Sequence, residues 1–501
     1  MNPPVVPAPR HLTWTGSARH LDGGALRVSG PSSLVDAVAE LAARCAGVEV
    51  LPAGPADADV IVDIDPSWWP DGAAPAGLDP GSGDESYRID RRTVRAATEA
   101  GAFRALTVIL QAIGPAGLLL STATDAPALR WRGLTLDVAR HFLTVAELES
   151  VIDLLAWYRL NVLHLHLTDN QAWRLQMPGR PELTPATTGS YRVADFAHLV
   201  AYARRRHVTI VPEFDMPGHV QAALSAYPEM NGDQTPALPG LGHLRPGVDA
   251  AVRFAHEAVD QLCGLVDTPY VHVGGDEAFG MDPGEYAAFV RLLHQRVRAH
   301  GKRPVAWQEA SRAGAFTGGD VLQQWISPRD APGPDLLDQL PPEYAPYRDV
   351  LAATFAEAPQ DLPRAIAAGA SVLLSPSFPF YLNRRYAEPS ARESQNTLMQ
   401  RLGHAGYPAE RTADLYRWDW GDVPGLAGAQ AALWAETIDS IDDLAALLLP
   451  RLPVLAEMMW NRQRQPWPQL AARIAGHTRV WERLGLGGYY RSVEVFHEET
   501  L

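Results

Sequence analysis

The chain has 501 residues, 47% hydrophobic and 20% charged, a globular balance that excludes disorder, collagen-like repeats and coiled coil. A formal net charge of −15 argues against nucleic acid or an anionic membrane surface as partner, since either wants a basic face. The length suits about three domains, or one large α/β barrel with an attached module. Cys45 and Cys263 lie far apart in sequence, so neither a disulfide framework nor a CxxC motif is present. The first residues lack the apolar stretch of a signal peptide, and no apolar run is long enough to span a membrane. A cytoplasmic location is the expectation, unless a leader has been removed. The only lysine is Lys302, a bias that arginine-favouring codon usage explains.

Residues 1–130 read as an accessory α/β domain. Helical spacing of apolar residues covers 33–47, a buried strand covers 59–65, and the Pro/Gly-rich stretch 66–84 reads as loop. A further strand is expected at 86–89, then a helix from near Ala96 to Ile113. No nucleotide-binding fingerprint occurs here, so this part reads as scaffold.

From Trp131 the pattern becomes a regular alternation. Strand-like runs occur at 132–138, 162–168, 208–214, 270–275, 304–308, 320–325, 371–375 and 428–434. Amphipathic segments at 144–158, 193–206, 251–266, 285–300, 361–368 and 441–459 separate most of them. Strands alternating with helices in this way predict a (β/α)8 TIM barrel over 131–501, with a C-terminal helical extension. Two long connections, 326–360 and 384–426, follow strands and so belong to the barrel's C-terminal face, where active sites are built.

Polar residues gather where the strands end. The first strand runs into Asp137 and Arg140, the second into Asp169, the third into Glu213, Asp215 and His219. The fourth ends in Gly274-Gly275-Asp276-Glu277, followed by Trp307 and Glu309, Trp325, and Trp434 with Glu436 on later strands. A lone Asp or Trp is more often structural; so many on one rim fit that explanation poorly. Two adjacent carboxylates after a glycine pair can face one cavity, and mutual repulsion raises at least one pKa into the range of a general acid. The plainer reading of Asp-Glu here is a helix N-terminus. Trp173, Trp307, Trp325, Trp418 and Trp434 supply indole faces suited to the C–H faces of a pyranose.

The segments RGLTLDVARHF, NVLHLHLTDNQAWR, VPEFDMPGHVQAAL, YVHVGGDEAF, PVAWQEA, LQQW, FYLNRRY and ALWAE resemble, in order, family 20 of the glycoside hydrolases, the β-N-acetylhexosaminidases. The resemblance implies exo-acting, retaining hydrolysis in which the substrate's own 2-acetamido oxygen is the nucleophile and no protein carboxylate attacks. It implies Glu277 as general acid/base, Asp276 as acceptor of the acetamido N–H, and Tyr381 as donor to the acetamido oxygen. Trp307, Trp325 and Trp434 would enclose the acetamido group and sugar, with Trp418 as a further wall. Arg140 and Glu436 would grip hydroxyls of the terminal sugar, and Asp169 with His219 would stand behind the acid. The implied partner is an oligosaccharide or glycoconjugate ending in a β-linked N-acetylhexosamine. Neither cofactor nor metal is implied.

The chain departs from the family pattern after the seventh strand. Family members often carry Tyr-Leu-Asp there, the Asp meeting the sugar's 6-hydroxyl; here the residues are Tyr381-Leu382-Asn383-Arg384. A carboxylate about 5 Å from a 6-O-sulfate would repel it by roughly 3 kcal/mol at an effective dielectric of ~20. Asn383 removes that repulsion, and Arg384 is expected to hydrogen-bond the sulfate. The pair resembles the hexosaminidase α-subunit type, which accepts 6-sulfated N-acetylglucosamine. Asn170 and Ile326-Ser327 are smaller departures. Two rival readings are a metal-dependent barrel hydrolase using His164, His166, His272 and Asp276, and an inactive sugar-binding barrel, which the presence of Glu277 disfavours. The DxxDxDxE run of chitinase-type barrels is absent.

Overall fold

The computed structural model describes residues 3–69, 77–81, 83–232, 241–327, 329 and 348–496. The N-terminal sheet is built from β1 (Thr13–Arg19), β2 (Leu26–Ser29), β3 (Val50–Pro52), β4 (Val60–Ile64), β5 (Tyr87–Asp90), β6 (Thr93–Ala96), β7 (Ile113–Gly114) and β8 (Gly117–Asp125). Its order is β1-β8-β5-β6-β4-β2-β3, with β7 against β8. The helix expected from Ala96 begins at Glu99. β-branched Thr93 and Val94 keep β6 extended, and the Thr98 side chain caps the helix by accepting from the Gly101 N–H. This helix, Glu99–Gln111, is buried from Ala100 to its end between the sheet and the rest of the molecule. Its last side chain, Gln111, donates to the carbonyl of Trp157 at 2.9 Å, on the first helix of the barrel.

The barrel strands are β9 (Trp131–Asp137), β10 (Val162–His166), β11 (Thr209–Glu213), β12 (Tyr270–His272), β13 (Arg303–Trp307), β14 (Val321–Gln324), β15 (Ser371–Leu374) and β16 (Leu426–Leu433), closed by β16 pairing with β9. All eight fall on the runs expected from sequence, and every pairing is parallel. The strands are buried on both faces, so each reads as a near-continuous apolar run. One layer of the interior is apolar, with Trp131, Val162, Val211, Tyr270, Val305, Val321, Leu373 and Ala427 in contact. Beside it lies a polar layer in which the Gln430 amide donates to Thr135 Oγ1 at 2.8 Å and meets His164 Nδ1 at 2.9 Å.

The segment 441–459 forms two helices, Ile441–Leu448 and Arg451–Trp460, broken at Pro450, whose missing N–H ends the first. Helices Trp467–Ala475 and Thr478–Arg483 form the C-terminal extension. The connection expected over 326–360 lies largely outside the described residues, as does part of the loop over 66–84. Among the described residues, no helix is long and apolar enough to cross a membrane.

Candidate active site

A cavity of about 440 Å³ opens at the C-terminal ends of the barrel strands. Its floor is organised by the turn after β12. Gly274 and Gly275 adopt φ of 72° and 102°, and a Cβ on Gly274 would collide with the Asp215 carboxylate. The Gly275 N–H donates to Asp215 Oδ1 at 3.0 Å. That bend carries the chain into Asp276 and Glu277, and Glu277 itself sits at φ +45°, a conformation L-residues rarely take. Both side chains line the cavity.

Glu277 faces His219, whose Nε2 is 3.4 Å from Glu277 Oε2. His219 Nδ1 lies 3.1 Å from Asp169 Oδ2, which also meets Arg140 at 2.7 Å and His166 Nε2 at 3.0 Å. The chain continues through His166 Nδ1 to Glu213 at 2.6 Å, and the other Glu213 oxygen accepts from the Trp307 indole at 2.8 Å. Burial works against charge on His219, yet Asp169, Asp276 and Asp215 outweigh it and hold the imidazole well above its usual value. Burial works against Asp169 likewise, and His219 and Arg140 overcome it, holding the carboxyl well below its usual range. Burial also opposes charge on His166, and Glu213 with Asp169 pushes it up to about 10. Glu277 therefore looks onto a cationic imidazole backed by an anionic carboxylate.

Asp276 has the opposite surroundings. Burial and then the neighbouring Asp215 carboxylate push it well above the usual carboxyl range. Burial raises Asp215 to about 7, with Glu213 adding to the effect and His219 opposing it. The two carboxyls hold a proton between them near neutral pH, and Asp276 Oδ1 is buried without a hydrogen-bond partner.

The remaining walls come from the other strand ends. Tyr381 follows β15 and pairs with Ala432; its ring lies 5.9 Å from Trp434, edge to face. Trp325 is held by Glu309, which accepts its indole N–H at 2.9 Å. Arg140 lies 5.6 Å over the Trp434 ring; burial disfavours its charge, but Asp169, Asp137 and Glu436 hold its pKa above the usual value. Asn383 lines the cavity and is buried, with neither its side-chain amide nitrogen nor its oxygen hydrogen-bonded.

Ten of the thirteen residues to which the resemblance or the departure from it assigns a role in the site line this cavity: Arg140, Asp169, His219, Asp276, Glu277, Trp325, Tyr381, Asn383, Trp434 and Glu436. Three do not. Trp307 lies just behind the lining, packed with Trp325, Tyr381 and Trp434, the last at 5.8 Å, and its indole N–H donates to Glu213. Trp418 packs edge-on against Phe380 at 5.1 Å, outside the lining. Arg384 corrects the sequence expectation most clearly, because it is fully buried and turned away from the cavity. Its Nε donates to the Ser377 carbonyl at 2.8 Å, a second nitrogen to that of Pro408 at 3.3 Å, and its guanidinium covers Tyr407. Lining residues that sequence reasoning missed include His243, Phe279, His404 and Tyr407. All sit in loops, where no periodicity marks the side chains that return to the rim.

Three groupings of His and carboxylate atoms lie close enough to share an ion: His164, Glu213 and His272; His166, Glu213 and Asp215; Asp215, His219 and Asp276. The set expected from sequence, with His164, His166, His272 and Asp276 together, does not converge. Glu213 instead gathers the histidines, one oxygen taken by His166 and the other by Trp307, so internal partners occupy its acceptors.

Comparison with known proteins places this geometry. The model of glycosyl hydrolase family 20, catalytic domain, matches residues 129–288 and 284–463. The chain is 35% identical over 435 residues to a β-N-acetylhexosaminidase of Cellulomonas fimi, covering 81% of this chain and 80% of that protein. It superposes on the family 20 β-N-acetylhexosaminidase of Streptomyces coelicolor with a TM-score of 0.78 at 28% identity, covering 98% of both chains. A mutant Streptomyces plicatus β-hexosaminidase in complex with its product, GlcNAc, aligns with a TM-score of 0.77 at 28% identity, over 98% of this chain and 97% of that one.

Proposed function

The chain belongs to glycosyl hydrolase family 20, whose β-N-acetylhexosaminidase activity it carries, and we propose that it releases single terminal N-acetylhexosamine residues with retention of configuration. The observation that carries this reading is the pair Asp276 and Glu277 on one turn with opposite surroundings. Glu277 protonates the glycosidic oxygen as the acetamido carbonyl oxygen of the substrate attacks the anomeric carbon. The leaving group departs and an oxazolinium ring forms. Because the nucleophile is tethered to the reacting ring, the attack is intramolecular and loses little translational freedom. Asp276 accepts the acetamido N–H and, once ionised, balances the positive charge that develops on the ring; Tyr381 donates to the acetamido oxygen. Glu277, now a carboxylate beside His219, takes a proton from the water that opens the ring. Arg140 and Glu436 hold the hydroxyls of the terminal sugar, which supports exo-action.

Asn383 lines the cavity where family members often carry a carboxylate, and His404, whose backbone N–H donates to the Asn383 carbonyl at 2.7 Å, lines it too, whereas Arg384 does not. This supports acceptance of 6-O-sulfated N-acetylglucosamine without a dedicated guanidinium. Asn383→Asp should lower kcat/KM on a 6-sulfated aryl glycoside by roughly a hundredfold relative to the unsulfated one, the equivalent of ~3 kcal/mol of repulsion. Equal losses on both substrates would remove the sulfate reading. The activity itself is tested with aryl β-glycosides of N-acetylglucosamine, N-acetylgalactosamine and glucose: hydrolysis of the acetamido sugars and none of glucose is expected, and comparable turnover of glucose would overturn the mechanism.

A further inference from the structure

One lining residue, His243, has no part in the chemistry above, and it is 6% exposed. Its Nδ1 is buried without a hydrogen-bond partner. The residues on either side of His243 are tied to the neighbouring rim loop. Leu244 N–H donates to the Pro217 carbonyl at 3.1 Å, and Gly242 N–H to the Gln221 side chain at 3.3 Å. Gln221 N–H in turn donates to Asn170 at 3.1 Å, so His243 and His219 are anchored to the same segment.

Arg140, Glu436, Asn383 and Trp434 line the cavity and are taken up by the terminal sugar; His243, Leu241 and Phe279 line it too and have no such role. His243 is close enough to His219, which faces Glu277, for that imidazole to act on it. The acid that protonates a glycosidic oxygen stands between the sugar being released and the group that leaves, so lining residues near the acid that the terminal sugar does not use are available to the leaving group. We infer that His243 forms a leaving-group subsite for a hydroxyl-bearing sugar, making a direct hydrogen bond to one of its hydroxyls. Burial, helped by Arg245 and His219, holds the imidazole down to about 4, so it is neutral at working pH. A neutral imidazole offers one N–H and one lone pair, the complement of a hydroxyl that both donates and accepts. Leu241 and Phe279 beside it offer apolar surface for the C–H face of the same ring. An aryl leaving group without hydroxyls takes up the apolar surface and leaves Nδ1 unpaired.

The inference rests on Glu277 as the acid, and the experiment separates the two. Steady-state kinetics of wild type, His243→Ala and His243→Gln are measured on a β-linked N-acetylhexosaminyl disaccharide and on the corresponding p-nitrophenyl glycoside. His243→Ala should lower kcat/KM on the disaccharide by about tenfold, the worth of one hydrogen bond, and change the aryl substrate by less than about twofold. His243→Gln keeps a donor and an acceptor, should recover part of the loss, and keeps the test available if the alanine variant misfolds. An equal loss on both substrates, or no loss on either, would overturn the subsite while leaving Glu277 untouched. Wild type that cleaves neither substrate would overturn the acid assignment, and the subsite with it.

Discussion

Two buried clusters of charge, one at the seam between the N-terminal sheet and the barrel and one at the barrel rim, use the same residue types to opposite ends. At the seam Glu85 is gripped by Arg104 and Arg132, each at 2.7 Å. Asp125 accepts from Tyr87 at 2.6 Å and from the Trp460 indole at 2.9 Å, and pairs with Arg159 at 3.1 Å. At the rim Asp215 and Asp276 face each other, Glu309 adds a third carboxyl, and each keeps an oxygen without a partner. Burial, then Asp276, raises Glu309 to about 8, whereas the seam carboxyl Glu85 lies below its usual value because Arg132 and Arg104 outweigh its burial. Matched charge inside a protein fixes two domains together; mismatched charge holds protons and open valences for a substrate.

The largest effect that separates the clusters is expected from Glu277→Gln. Loss of the acid should cut kcat by roughly 10²- to 10⁴-fold. The Glu277 side chain is 34% exposed, so Tm should stay near wild type. A parallel fall in Tm would erase the distinction. The mirror experiment is Arg132→Met, which strips Glu85 of one guanidinium. Urea unfolding should show about 3–5 kcal/mol of lost stability, while kcat per folded molecule stays within about twofold.

A subtler contrast lies in pH. Asp276 must be ionised to balance the positive charge that develops on the acetamide, so activity rises as the Asp215–Asp276 pair gives up its proton. Asp215→Asn removes a facing charge, lowers the Asp276 pKa, and should move the acidic limb of kcat/KM to lower pH. The stability signs follow the same logic. Between its ordinary value of 3.8 and about 7 the folded state keeps a proton on Asp215 that the unfolded chain releases, so stability falls as pH rises through that window. Asp215→Asn should flatten this fall in a plot of Tm against pH. Glu85 runs the other way, its contribution being present above its ordinary value and lost as pH drops below it. The smallest effect is expected from Trp418→Phe, since that indole packs on Phe380 outside the lining: KM should change by less than about twofold, and a large rise would return it to the wall.

The barrel was legible because its strands are buried on both faces, and runs such as Val162–His166 stay apolar until the rim. The first strand of the accessory sheet, Thr13–Arg19, is largely exposed and shows no apolar run, so pattern reading passes over it. At the site, Asp169, Asp276 and Glu277 were legible because parallel register brings all strand ends to one rim. His404 and Tyr407 were not, because a long loop can return to the cavity at any of its residues. Arg384 shows a separate limit. Adjacency to Asn383 says nothing of direction, and its guanidinium instead turns to the carbonyls of Ser377 and Pro408.

The central claim is that the rim charges act on the substrate's own acetamide. It is tested most directly by kcat/KM for a series of aryl β-glycosides bearing N-acetyl, N-fluoroacetyl, N-difluoroacetyl and N-trifluoroacetyl groups. Each fluorine draws electron density from the carbonyl oxygen and weakens it as a nucleophile. A steep, steady fall along the series is expected; a flat series would contradict attack by that oxygen.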